Sequence, residues 1–373
     1  MNPATAPRYL ALDSLRGIAA VGVALHHIFA LHGPAALPLF VNGPLFVDFF
    51  FVLSGFVIAA SYGERLAQGF SLRRFAVLRL GRVWPLHAAM VAAALAVEGA
   101  AALFGDQGLG NQPPFQGTHS PGHALMSLLL LVGFQPDIGN FYSGVGWSIS
   151  VELLLYALAA LAFRAGRRGL AVLLALVPLA VAGQIAGINL PVLTFGVLRG
   201  VAGFGVGTGC WLLHRRLPRH RGTRATLLEA VALTALFGAI WLIDTDAGHA
   251  LVIAPAALVV LVFAGEGGAI SWALGRAPWV WLGTISYSIY MVHPMVEGRA
   301  IDLLLLLSRR TGYPIADRVM IEGLPFKRLL LDPVPSTVVQ IAILGLVLVT
   351  AHFAWRLIEE PVRLASRRYA ATL

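Results

Sequence analysis

The chain has 373 residues, 58% of them hydrophobic and only 12% charged, and several apolar runs reach the ~20 residues needed to span a hydrocarbon core. Its formal net charge of +9 is carried almost wholly by arginines in short segments between those runs; this is the positive-inside pattern, and it excludes the basic surface of a nucleic-acid binder. The one cysteine, Cys210, lies inside an apolar run, which excludes a disulfide framework and argues against thiol chemistry.

The first run, 10–31, is long enough to cross a bilayer and lacks a small-residue cleavage site, so it is expected to remain as a span. It carries Arg16 and His27 with ten residues between them. Eleven positions are close to three helical turns, so the two side chains fall within roughly 20° of one face and about 16 Å apart along the axis. A central Arg costs at least about 2.5–3.5 kcal/mol to insert, which makes an intramembrane ionisable pair a functional-site hypothesis. The plain alternative is a snorkelling Arg and a His bonded to a backbone carbonyl. His26 lies about 100° around the helix from His27 and does not fit the spacing to Arg16.

Further apolar runs follow at 44–62, 82–104, 145–163, 170–187, 192–213, 225–243, 249–265, 278–297 and 336–358; one more, 122–134, is too short to span. Arginines cluster at 65–79, 164–168, 215–224, 276 and 363–368, whereas 32–43, 105–121, 188–191 and 244–248 contain no Lys or Arg. All clusters fall on one side if 122–134 is re-entrant or interfacial. The expected architecture is therefore an all-α polytopic bundle of about ten transmembrane helices plus one short re-entrant or interfacial helix. It forms a single domain, 1–373, with both termini cytoplasmic. The exception is 298–335, an external loop carrying Arg299, Arg309, Arg310, Arg318, Lys327 and Arg328.

This topology places chemistry in depth. Asp48 opens the second span near the outer face, Glu152 lies about two turns into the fourth from that side, and His293 falls near the outer end of its span. A carboxylate in lipid is protonated or paired. The economical arrangement pairs Asp48 or Glu152 with His27 or Arg16, and an imidazole held by a carboxylate is a general base poised near neutral pH. At the opposite face Arg79 and Arg82, three apart where the third span begins, suit a bidentate clamp on a phosphate or pyrophosphate, extended by Arg73 and Arg74. Ordinary positive-inside charge is the simpler reading of that patch. Trp147, Tyr290 and His293 are candidates to line an acyl or sugar pocket, or simply pack the bundle. Glu359 and Glu360 read as a solvated helix end paired with Arg356 or Arg363. A proton-coupled transporter built on the same buried Arg, His and carboxylates is the rival reading; neither inverted repeats nor paired broken helices appear in the sequence.

At these residues the chain resembles the membrane acyltransferase-3 family, bacterial O-acetylases and related enzymes. The resemblance comprises Leu12-Asp13-Ser14-Leu15-Arg16-Gly17 with the Arg-x10-His pair; Asp48 to Ile58; Arg79-x2-Arg82-x2-Pro85; Trp147-Ser148-x3-Glu152; Ser286 to Pro294; and Ile358-Glu359-Glu360-Pro361. It implies acyl-CoA, by default acetyl-CoA, as donor and co-substrate. His27 is then the catalytic residue and Arg16 its companion. Arg79 and Arg82 contact the CoA phosphates, with Arg74, Ser148, Trp147, Tyr290 and His293 as further donor-site candidates and Asp48 or Glu152 steadying the imidazole. No metal is implied. The partners implied are acyl-CoA, a hydroxyl-bearing saccharide or glycolipid acceptor, and membrane lipids, at the bacterial inner membrane. Some family members carry a hydrolase-like domain after the last span; here the stand-alone form is expected, with transfer inside the bundle. The acceptor pocket is expected from 32–43, 105–121 and 298–335.

Overall fold

Ten helices organise the computed structural model, which describes residues 8–104, 113–136, 144–243, 245–321 and 324–373. In chain order they are α1 (Leu10–His27), α2 (Leu45–Ala67), α3 (Leu72–Phe104), α4 (Gly146–Arg164) and α5 (Gly166–Ile185). Then come α6 (Phe195–His214), α7 (Thr223–Leu242), α8 (Ile253–Phe263), α9 (Ser286–Thr311) and α10 (Pro333–Ala354). Among the described residues, seven helices are long and apolar enough to cross a membrane: α2 to α7, and α10 with its continuation. The three other runs read as spans become different objects. The run 249–265 is broken between Thr245–Leu251 and α8, leaving Gly248–Phe263 as a shorter apolar helix. The run 278–297 is broken between Ala277–Thr284 and α9. The 18-residue α1 carries Asp13, Arg16, His26 and His27.

The short run 122–134 forms an eight-residue helix, Pro121–Leu128, and a 3-10 turn, Val132–Phe134. At ~1.5 Å per residue that helix is about 12 Å long and does not cross. Residues 105–112 of the expected acceptor loop lie outside the described residues. The external loop needs correction. Its first part is helix, because α9 runs on to Thr311 and stops at Gly312 in the left-handed region. Its second part is an antiparallel hairpin, β1 (Ala316–Ile321) with β2 (Leu324–Leu329). Leu329 exchanges backbone hydrogen bonds with Phe29 and Leu31, so the hairpin is tied to the chain just past His27. Asp302 of α9 accepts a 2.5 Å hydrogen bond from Lys327, tying β2 to α9 as well. Burial pulls the Lys327 ammonium below the ordinary lysine pKa, and its bond to Asp302 works against that pull.

Glycine decides the tightest packing. In lipid, where tails are as apolar as leucine, helices gain most by close van der Waals approach through small residues. The α2–α6 crossing does this: a Cβ at Gly55 would collide with the Phe204 carbonyl and one at Gly207 with the Val52 carbonyl. A second close approach sits at the break before α9, where a Cβ at Gly17 would lie 2.7 Å from Gly283 N. The break therefore lets α1 pass over the end of Ala277–Thr284.

These contacts predict that Gly207→Val costs at least about 3 kcal/mol, the upper part of the overpacking range, because backbone rather than a side chain must move. Gly238→Ala, with open space around it, should be neutral or stabilise by up to about 1 kcal/mol. Thermal unfolding of the two purified variants in detergent checks both.

Candidate active site

Arg16 and His27 both face α9 and the break before it, as the eleven-residue spacing required. The Arg16 guanidinium donates to Ser286 Oγ at 2.9 Å and to the Gly283 carbonyl at 3.2 Å, and pairs with Asp13 at 3.2 Å. Gly283 lies in the last turn of its helix, and its carbonyl, with no partner four residues on, accepts from the Ile285 N–H and from Ser286 Oγ at 2.9 Å as well as from Arg16. A cation at that end also meets the negative pole of the helix dipole. Arg16 thus secures the break on which α9 starts.

Three turns along α1, His27 meets His293 of α9. Their rings lie 4.8 Å apart, with His293 Nε2 at 3.3 Å from His27 Nδ1. His27 Nδ1 also contacts the Val23 carbonyl at 2.9 Å, and His293 Nδ1 the Ile289 carbonyl at 3.2 Å. A carbonyl only accepts, so both neutral rings carry their proton on Nδ1. That assignment leaves the His27 Nε2 lone pair uncommitted, as a general base requires. His26 turns elsewhere, donating from Nδ1 to the Phe40 carbonyl at 3.0 Å.

Neither expected carboxylate touches this pair. Fully buried Asp48 takes a fork–fork pair from Arg199, with both oxygens at 3.0 Å, and a 2.7 Å contact from His249. Arg199 also donates to the Pro44 carbonyl at 2.9 Å and stacks 5.2 Å from the Trp147 ring. Nothing in the apolar pattern of α6 marked Arg199 as the partner, although it is the one arginine buried inside that span. Glu152 is held by Ser54 Oγ at 2.9 Å and by the Tyr156 hydroxyl one turn along α4. The pairing of either with His27 or Arg16 is therefore corrected: Asp48 joins α2, α6 and Thr245–Leu251, and Glu152 joins α2 to α4.

A cavity of about 710 Å³ runs from the arginine-rich end into the bundle. Exposed Arg8, Arg65 and Arg367 mark its outer part, and Phe50, Ser148 and Tyr290 its inner end. Its walls carry seven arginines against four carboxylates, an excess that focuses positive potential in a low-dielectric cleft. Arg8, just before α1, and Arg367, in the helix Glu360–Ala371, both line it. Of the expected donor-site residues, Arg79, Arg82, Ser148 and Tyr290 line the cavity, together with Arg16 and Glu152. Arg74, Trp147 and His293 do not. Arg74 lies 5.5 Å from the Phe70 ring, Trp147 backs Arg199, and His293 belongs to the imidazole pair.

Arg79 donates to the Tyr62 hydroxyl at 2.9 Å, while its buried Nε has no partner among the described residues. Arg82 pairs with Glu359 at 3.6 Å. Glu359 corrects the expectation of a solvated helix end. After α10 the chain passes through a π turn, Trp355–Glu359, which turns Glu359 inward, 2% exposed, where it also accepts from Ser288 at 2.8 Å. Glu360 faces Arg363 instead. A π bulge leaves no trace in hydrophobic periodicity, so Glu359 was not readable as a cavity residue.

Tyr290 closes the inner end of the cavity, with its hydroxyl 2.7 Å from Ser148 Oγ. Its ring lies 5.9 Å from that of His293. A continuous line of side chains therefore joins the arginine-lined cavity to His27.

Removing one partner of the Asp48–Arg199 pair strands the other's charge. Asp48→Asn should destabilise by about 3–5 kcal/mol, and Glu152→Gln by less, since two hydroxyl donors hold it. Thermal midpoints of the two variants in detergent should fall in that order.

A family model described as an acyltransferase domain matches residues 9–351. Protein 2 in picA locus, from Rhizobium radiobacter, is 36% identical over 90 residues, covering 23% of this chain and 44% of that protein. The chain thus aligns with less than half of that relative's length. No solved structure matches. The family match takes in α1 to α9 and most of α10, with the cavity, the imidazole pair and the break that Arg16 secures, so the chain belongs to the membrane acyltransferase-3 family.

Proposed function

We propose that the protein transfers an acyl group, by default acetyl, from cytosolic acyl-CoA to a hydroxyl of a saccharide, lipid-linked glycan or similar acceptor. The observation that carries this reading is the arginine-lined cavity, whose inner end abuts the His293–His27 pair. The arginine-rich end is the cytoplasmic one, by the positive-inside rule. CoA phosphates dock at Arg79 and Arg82, with Arg65 and Arg367 nearer the mouth; guanidinium forks suit phosphate better than ammonium groups do. The pantetheine arm follows the cavity toward Ser148 and Tyr290. The acceptor arrives from the hairpin end.

His27 Nε2 takes the proton of the acceptor hydroxyl as its oxygen bonds to the thioester carbonyl carbon. The C–S bond then breaks, and the proton passes to the thiolate, giving free CoA and an acyl ester. General-base catalysis of this kind contributes ~10²–10⁴-fold. Arg16 sits about 16 Å down the axis from His27 and is committed to Gly283 and Ser286. In this reading it holds the α9 start and the donor channel rather than the oxyanion. Phosphate-clamping arginines and a base with an open lone pair have no joint role in a transporter.

Purified protein in nanodiscs should release CoA thiol slowly from acetyl-CoA without an acceptor. His27→Ala should lower that release by at least about 100-fold. Arg79→Ala with Arg82→Ala should raise KM for acetyl-CoA at least about tenfold and lower the thermal midpoint in detergent, since loss of Arg82 strands the buried Glu359 carboxylate. Unchanged release by His27→Ala would remove the base from the mechanism.

A further inference from the structure

Seven arginines line the cavity, and carboxylates answer four of them. Asp13 pairs with Arg8 and Arg16, Glu359 with Arg82, and Glu360 gives both oxygens to Arg363. The remaining carboxylate of the wall, Glu152, is held by Ser54 and Tyr156. Next to Arg65 in the chain, Glu64 reaches Arg215 instead, at 2.9 Å. Arg65, Arg79 and Arg367 therefore form no salt bridge among the described residues, although α2, α3 and the helix Glu360–Ala371 each bring one of them to the same cavity.

The three converge on one aromatic ring. The Arg79 guanidinium donates to the Tyr62 hydroxyl at 2.9 Å and lies 4.8 Å from its ring centroid. Arg65 lies 5.2 Å from the same centroid and 4.1 Å from that of Phe70, and Arg367 is within electrostatic reach of Tyr62. A guanidinium stacked on an aromatic face keeps its N–H edge free, and that edge is the one that forks onto phosphate. Like charges gathered without a carboxylate repel one another, and a bound anion relieves the repulsion. Arg79 is half-buried whereas Arg65 and Arg367 are exposed, so the charges step inward from the mouth.

CoA offers such a mouth two separate anions. One is the diphosphate on the ribose 5′ position; the other is a monoester on the 3′ position, and a phosphate monoester carries about −1.5 to −2 charge near pH 7. We infer that Arg65 and Arg367 form a second anion subsite, for the ribose 3′-phosphate of the donor, while Arg79 and Arg82 take the diphosphate. This inference rests on the acyl-CoA reading and narrows it: the cavity selects CoA over the same molecule without its 3′-phosphate. The two arginines act at the end of the donor remote from the thioester. Their loss therefore weakens binding and leaves the chemical step alone.

The test follows thiol release from acetyl-CoA and from acetyl-dephospho-CoA by protein in nanodiscs. The ratio of the two KM values is the readout, and because KM does not depend on the folded fraction, a partly folded variant still reports. In wild type KM for acetyl-dephospho-CoA should lie at least about tenfold above that for acetyl-CoA, the effect of losing charge-assisted hydrogen bonds. Arg65→Ala with Arg367→Ala should raise KM for acetyl-CoA by a similar factor, hold KM for acetyl-dephospho-CoA within about twofold, and leave kcat unchanged on both. The ratio then falls to near one. Arg65→Lys with Arg367→Lys, which keeps the charge without the fork, should restore part of it. Arg79→Ala should raise both KM values alike and keep the ratio. A wild-type ratio near one would overturn the inference. So would a double variant that loses affinity equally for both donors, since the pair would then serve a lipid headgroup phosphate or the general field of the cavity. Failure of wild type to cleave either donor is a separate result, which removes the acyl-CoA reading and this subsite with it.

Discussion

Desolvation of ionisable groups is the constraint on which the rest of this structure depends. Each charge placed inside an apolar bundle must find a partner, and the partners found here sort the buried residues by what they are free to do. Asp48 spends both oxygens on Arg199 and His249. Glu359 spends itself on Arg82 and Ser288. Arg16 spends its donors on a broken helix end. Inward of the exposed mouth, along the cavity and the imidazole pair, the described residues leave two functions uncommitted: the His27 Nε2 lone pair and Arg79 Nε. They lie along one path, from the arginine-rich mouth through Tyr290 and His293 to α1.

Architecture and chemistry are joined at the break before α9. A continuous span through 278–297 would carry Ser286 and His293 on a helix unable to pass close to α1. The Gly17–Gly283 approach lets α1 cross the break, and Arg16 joins Ser286 on the Gly283 carbonyl there. Helix α9 then restarts parallel to α1, which brings His293 to His27. The same helix runs on to Thr311 and holds the hairpin through Asp302 and Lys327, while Leu329 pairs with the chain just past His27. One helix therefore links the cavity, the imidazole pair and the hairpin.

Much of this was legible in the sequence. The apolar runs and arginine clusters define the bundle, and the eleven-residue step from Arg16 to His27 places both against one neighbour. The spacing of Arg79 and Arg82 puts both into one cavity. What was not legible concerns pairing across helices. Periodicity gives the face a residue occupies but not which face lies opposite, so Arg199 could not be matched to Asp48, nor His293 to His27. Helix breaks and the π turn at Trp355–Glu359 are equally invisible, because they preserve hydrophobicity while changing direction. That is why Glu359 read as solvated, and why 298–335 read as one loop rather than helix and hairpin. Glu297, buried with neither carboxyl oxygen hydrogen-bonded among the described residues, escaped for a different reason. No motif surrounds it, and its isolation is a property of the folded bundle alone.

The most direct test of the account is covalent labelling with bromoacetyl-CoA, followed by mass spectrometric location of the adduct. The reagent's phosphates should seat it in the arginine-lined cavity, and its reactive carbon replaces the acetyl methyl. Displacement of bromide by the open imidazole nitrogen should place the adduct on His27, with acetyl-CoA protecting and Arg79→Ala/Arg82→Ala slowing the reaction. Labelling at Cys210 or His26 instead, or labelling indifferent to acetyl-CoA, would contradict the claim that this cavity delivers a thioester to His27.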